Sequence, residues 1–163
     1  MALEAKILTV SDSVAHGHAT DRGGIALTSL LREAGFAIVD TKVCEDGVAS
    51  VSTALLELTE SFCGLVVTTG GTGFGLRDLT PEGTRAVLER EAPGLSEAMR
   101  GVNPLGRLSR AIAGVRTRAL IVNTPGSPSG ATECLSAIID VIPHALTLLA
   151  GENPHPHAPK TTQ

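Results

Sequence analysis

The hexapeptide Thr68-Thr69-Gly70-Gly71-Thr72-Gly73 follows the apolar run Gly64-Leu65-Val66-Val67, and an acid, Asp78, comes five residues later. Thr80-Pro81-Glu82 then has the composition of a helix start, with Thr80 as N-cap and Pro81 in the first turn. A strand that ends in a glycine-rich turn before a helix can hold an oxyanion. Backbone N–H groups crowd around a phosphate only where no side chains block them. A carboxylate beside such a cradle points to a divalent cation between the two anions. Neither familiar phosphate-loop pattern is present. The chain holds no Gly-Lys pair, so GxxxxGK[ST] is absent, and Gly71-Thr72-Gly73-Phe74-Gly75-Leu76 has Leu where GxGxxG needs its third glycine. A plain tight turn would account for two or three glycines. Glycines and threonines together with an acid at one strand end favour a functional loop.

The surrounding sequence alternates between strand and helix patterns. The spacing predicts strands over 6–10, 36–43, 65–69 and 119–123. It predicts helices over 21–34 (closed by Gly35), 48–62, 80–91, 95–100 and 134–150, the last bent at Pro143. This alternation implies an α/β fold, a three-layer sandwich whose mostly parallel sheet is flanked by helices on both faces. One domain is expected over 1–151, followed by a flexible tail over 152–163. Ligands of such sheets bind outside the carboxyl ends of the strands. Four strand ends carry distinctive turns: Ser11-Asp12-Ser13, Asp46-Gly47, the Thr69 to Gly73 loop, and Asn123 through Pro125, Gly126 and Ser127. All four should lie on one edge of the sheet and form one site.

Composition narrows the partners. The net charge is −4, and three Phe with no Trp or Tyr leave almost no base-stacking surface, so nucleic acid is not expected. No apolar run reaches membrane-spanning length, and the first residues lack the pattern of a signal peptide. Cys44, Cys63 and Cys134 are odd in number, widely spaced and without a CxxC pair. They read as reduced thiols of a cytoplasmic protein, packed as small hydrophobes, with no structural zinc expected. His16 and His18 read as solvated loop residues, His144 as a packed or surface residue, and His155 and His157 belong to the tail.

Three blocks in order carry a family resemblance: Thr68-Thr69-Gly70-Gly71-Thr72-Gly73-Phe74, Arg77-Asp78-Leu79-Thr80-Pro81-Glu82, and Glu89-Arg90-Glu91-Ala92-Pro93-Gly94. Further matches are Leu108-Ser109-Arg110, Gly114-Val115-Arg116, Leu120-Ile121-Val122-Asn123 with Pro125-Gly126-Ser127, and Pro143-His144-Ala145. Together they closely resemble the molybdopterin adenylyltransferase family (Mog/MoaB-like), to which the amino-terminal domain of gephyrin also belongs. The resemblance covers roughly residues 6–151.

That resemblance implies the molybdopterin-binding fold and a step of molybdenum cofactor biosynthesis. AMP is transferred from ATP, with Mg²⁺, to the terminal phosphate of molybdopterin, and pyrophosphate is released. The adenylylated pterin then passes to a molybdate-insertion enzyme. Family members are typically homotrimers. On the same basis Asp78 and Asp46 are the catalytic, metal-positioning acids. The Asp-Gly pair at Asp46 can also be read as a common turn. Thr69, Gly70, Gly71, Thr72 and Gly73 would hold phosphate groups. Ser109 would bond the pterin or its phosphate, and Arg110 would do the same or pair with an acid. Asn123, Pro125, Gly126 and Ser127 match the nucleotide-side loop, and Ser11 and Asp12 either touch ligand or form a helix-capping turn. The chain departs from the family in four places. Glu45-Asp46 stands for Pro-Asp, Ser13 stands where many relatives have Arg, and Gly23-Gly24-Ile25 stands for Ser-Gly-Pro. The segment over 100–108 is shorter than in some members. Two other readings remain at this level: a molybdopterin-binding carrier without catalysis, and a scaffold trimer.

Overall fold

The computed structural model describes residues 2–152 of the chain; the expected tail and its two histidines lie outside them, apart from residue 152. In chain order the elements are β1 (Glu4–Val10), α1 (Asp12–Ala15), α2 (Arg22–Glu33), β2 (Ala37–Cys44), α3 (Val48–Thr59), β3 (Cys63–Thr69) and α4 (Thr80–Arg85). They continue with β4 (Arg90–Glu91), α5 (Pro93–Arg100), a 3₁₀ turn (Pro104–Leu108), β5 (Ala113–Arg116), β6 (Arg118–Thr124), α6 (Pro128–Ser136) and α7 (Ile142–Leu149). Among the described residues the strands form one six-stranded sheet in the order β2-β1-β3-β6-β5-β4. β2, β1, β3 and β6 are parallel, and β5 and β4 extend the sheet antiparallel.

Successive side chains of a strand point to opposite faces, so each central strand feeds two cores. Ile7, Leu65, Val67, Leu120 and Val122 pack on one face against Leu27 and Leu31 of α2, Leu135 of α6, and Ile142 and Leu146 of α7. Leu8, Val10, Val66 and Ile121 pack on the other against Val51, Leu55 and Leu58 of α3. Covering both faces is what makes β3 and β6 read as unbroken apolar runs rather than alternating ones. The expected three-layer α/β sandwich is the fold observed.

Several element boundaries differ from expectation. The helix expected over 80–91 stops at Arg85. Two residues of the remainder become β4, because Glu89 N–H donates to the Val115 carbonyl and Ala92 N–H to that of Ala113. Thr80 is not an N-cap. It is the first residue of α4, wholly buried, and its hydroxyl donates to the Gly70 carbonyl at 2.9 Å. The single helix expected over 134–150 is two helices, and Pro143 lies in the first turn of α7, where its missing N–H costs nothing. Asp21 caps α2 by accepting from Gly24 N–H at 2.8 Å.

Candidate active site

The register puts four turns side by side. Val10 lies beside Cys44, Thr9 beside Thr69, and Thr69 beside Thr124, so the carboxyl ends of β2, β1, β3 and β6 form a continuous edge. The expected shared edge is therefore present.

The glycine turn leaves β3 through two left-handed residues, Gly70 (φ +100°) and Gly71 (φ +66°). It is pinned on both sides. Gly70 N–H donates to the Thr124 carbonyl at 3.2 Å, and Thr80 N–H donates to the Gly71 carbonyl at 3.0 Å. The Thr69 hydroxyl donates to the Pro125 carbonyl at 2.7 Å, which ties this turn to the 125–127 turn. Gly70 N–H is thus occupied. The N–H groups of Gly71, Thr72 and Gly73 have no partner among the described residues and are the ones available to an anion.

Asp46 and Asp78 line one cavity of about 440 Å³ together with Ser11, Gly70, Gly71 and Ser127. Asp46 Oδ2 accepts from Asp12 N–H at 2.9 Å, and Asp78 Oδ2 accepts from Gly75 N–H at 2.8 Å. The Oδ1 atom of each has no protein donor among the described residues. Burial pushes the Asp46 carboxyl above the usual carboxylate range. The Asp12 amide and Arg77 oppose this, and the charges of Asp12 and Asp78 reinforce it. An oxygen without a donor in a field of two further carboxylates is an environment that favours a cation. The described residues contain no group of three or more His, Cys, Asp or Glu side chains placed to hold a metal. Asp46 and Asp78, each with one unengaged oxygen, are a donor set of the kind Mg²⁺ takes when substrate phosphates and water complete its shell.

A second cavity, of about 830 Å³, shares Gly71, Asp78, Gly126 and Ser127 with the first and runs past Ser109 toward Met99 and Leu108. Gly71 and Asp78 thus stand at the junction of two cavities.

The remaining candidates divide by what they touch. Ser11 accepts from Val14 N–H at 3.3 Å and caps α1. The Ser127 hydroxyl accepts from Gly130 N–H at 3.2 Å and caps α6, whose N-terminus faces both cavities. The Ser109 hydroxyl accepts from Ala111 N–H at 3.3 Å at the wall of the larger cavity. Arg110 takes the acid-pairing role. Its guanidinium donates to the Glu82 carboxylate, to the Gly73 carbonyl at 2.8 Å and to the Asp78 carbonyl, and so braces both ends of the 73–78 loop. The same contact holds the Glu82 carboxyl below its ordinary range. His16 is exposed, with Nε2 2.8 Å from Glu45 Oε1. Burial pushes the Cys44 thiol up to about 11, far from a reactive thiolate.

Asn123 lies under the site. It is wholly buried; Oδ1 accepts from Ile112 N–H at 3.2 Å, and Nδ2 donates to the Thr68 and Thr84 hydroxyls at 2.9 and 3.0 Å. Its amide joins β6 to β3 and α4. Asn123→Ala strands the Ile112 N–H and should cost about 2 kcal/mol, lowering the thermal midpoint by roughly 4–8 °C in calorimetry.

Arg77 was not among the residues expected at the site. Its neighbour Asp78 draws attention to it, but its partner Asp12 lies 65 positions away, and no local pattern joins them.

Comparison with known proteins identifies the family. A family model described as "Probable molybdopterin binding domain" matches residues 6–144. Two relatives are named molybdopterin adenylyltransferase. That of Helicobacter pylori J99 is 36% identical over 152 residues, covering 89% of this chain and 86% of its own. That of Escherichia coli K12 is 35% identical over 169 residues, covering 91% and 86%. The solved structure of the molybdopterin biosynthesis enzyme MoaB of Thermus thermophilus superposes with a TM-score of 0.85 at 42% identity, covering 92% of this chain and 98% of that one. The chain therefore belongs to the molybdopterin-binding domain family that contains the molybdopterin adenylyltransferases.

Proposed function

We propose that the protein is a molybdopterin adenylyltransferase of molybdenum cofactor biosynthesis, transferring AMP from ATP to the terminal phosphate of molybdopterin. The observation that carries this reading is the junction itself. Three N–H groups (Gly71 to Gly73) and two carboxylates with an unengaged oxygen meet where two cavities join. Two large anionic substrates whose phosphates must meet need that arrangement. The larger, more apolar cavity beside Ser109 suits the pterin, and the cavity between Asp46 and Ser127 suits the nucleotide.

An oxygen of the pterin's terminal phosphate bonds to the α-phosphorus of ATP, and the bond from that phosphorus to the β-bridging oxygen breaks, releasing pyrophosphate. A phosphate monoester, with a second pKa of about 6, is largely ionised at neutral pH and needs no strong general base. The obstacle is bringing two anions into line. The Gly71 to Gly73 amides and the α6 N-terminus at Ser127 hold and orient phosphate oxygens. Asp46 and Asp78 would hold Mg²⁺, which when bound supplies neutralisation of the phosphate charge. The family resemblance further supports a homotrimer, a cytoplasmic location, and delivery of the product to a molybdate-inserting partner. None of the described helices is long and apolar enough to cross a membrane.

The test is direct. Purified protein given molybdopterin, ATP and Mg²⁺ should release pyrophosphate and adenylylated pterin in equal amounts. Tight pterin binding with no product would make the protein a carrier instead.

A further inference from the structure

The ends of β1 and β2 are joined by a reciprocal pair of hydrogen bonds. Asp12 N–H donates to Asp46 Oδ2 at 2.9 Å, and Asp46 N–H donates to Asp12 Oδ1 at 3.0 Å. Arg77 closes over this pair. Its Nε donates to Asp12 Oδ2 at 2.5 Å, and its Nη2 donates to Asp12 Oδ1 at 3.0 Å and to the Asp46 carbonyl at 2.8 Å. One planar guanidinium thus engages both oxygens of Asp12 and the main chain of Asp46, the bidentate geometry that arginine provides and lysine does not. Arg77 is also bonded through the chain to Asp78. The loop that carries one acid of the site is thereby fastened to the main chain that carries the other.

We propose that Arg77 is a positioning residue that, by clamping Asp12 and the main chain of Asp46, fixes the separation of Asp46 and Asp78 for cation binding. This rests on the reading of Asp46 and Asp78 as holders of a divalent cation. A surface ion pair is the alternative. The Arg77 side chain is 62% exposed, and exposed pairs contribute little to stability. The two roles separate experimentally for that reason. A clamp changes cation binding while leaving the fold nearly untouched, and a surface pair changes neither.

The experiment titrates Mn²⁺ into the full chain in the presence of α,β-methylene-ATP, with free Mn²⁺ read by electron paramagnetic resonance. Arg77→Ala is expected to weaken Mn²⁺ binding about tenfold, the range seen when groups that orient metal ligands are removed. Arg77→Lys should recover only part of the loss, and the thermal midpoint should stay close to that of the unaltered chain. Arg77→Ala combined with Asp12→Asn should bind no more weakly than Arg77→Ala alone, because one clamp is broken once. Affinity unchanged within twofold in Arg77→Ala, full recovery in Arg77→Lys, or additive losses in the pair would overturn the proposal. Asp46→Asn and Asp78→Asn are run alongside. If those two lose Mn²⁺ and Arg77→Ala does not, the clamp alone fails. If they keep it, the cation reading fails and the clamp with it.

Discussion

Asp78→Asn is expected to lower turnover by about a hundredfold or more, which is at least about 2.7 kcal/mol of lost transition-state stabilisation, while changing molybdopterin affinity by less than about threefold. The asymmetry comes from the geometry. Asparagine keeps the shape of the side chain, and its carbonyl oxygen can still accept the Gly75 N–H that Asp78 Oδ2 accepts at 2.8 Å, so the loop holds its form. The negative charge at the junction of the two cavities is lost. The larger cavity, proposed above for the pterin, is lined mainly by other residues, including Met99, Leu108 and Ser109, and is left intact. Pyrophosphate release measures turnover, and calorimetric titration of the pterin measures binding. Unchanged turnover would remove Asp78 from the chemistry, and a parallel loss of pterin binding would assign it to substrate capture instead.

Gly70→Ala is expected to be the most damaging small substitution in the turn. Gly70 adopts φ +100°, which an L side chain rarely does, and a Cβ there would fall well inside contact distance of the Val10 carbonyl. That carbonyl is main chain at the end of β1, where Val10 is paired with Cys44, and not the tip of a flexible side chain. Backbone strain and overlap together should cost about 3–5 kcal/mol, lowering the thermal midpoint by roughly 6–20 °C. Gly94→Ala is the control. A Cβ at Gly94, in the first turn of α5, meets nothing within 4 Å, so that substitution should be near neutral. Equal midpoints for the two variants would mean that the turn tolerates side chains and that its glycines are not there for conformation.

The site's glycines and acids were legible in the sequence because they obey local rules. Only glycine fits the left-handed positions after β3, and an acid near a phosphate cradle is conspicuous by type alone. Which donors remain available was not legible. Gly70 N–H and the Thr69 hydroxyl are each occupied by groups more than 50 positions away in sequence, and the Asn123 amide by groups 11 to 55 positions away. Arg77 escaped notice for the same reason. The four parallel strands were readable from their apolar runs. β5 and the two residues of β4 were not, since Arg90–Glu91 becomes a strand only by pairing with β5. The division between α6 and α7 was hidden by phase. Leu135, Ile138, Ile142 and Leu146 are all buried in the same core, so the helical period runs through the break unchanged.

The order β2-β1-β3-β6 has a consequence for how the chain comes together as it is made. β3 is buried on both faces and flanked by β1 and β6, yet β6 begins 49 positions after β3 ends. During synthesis the long edge of β3 stands open, a row of unpaired amides on an apolar strand, until residues 118–124 leave the ribosome and slot in beside it. Pairing across such a separation is slow. The interval before β6 arrives is when the nascent chain is most exposed to sticking to another copy of itself.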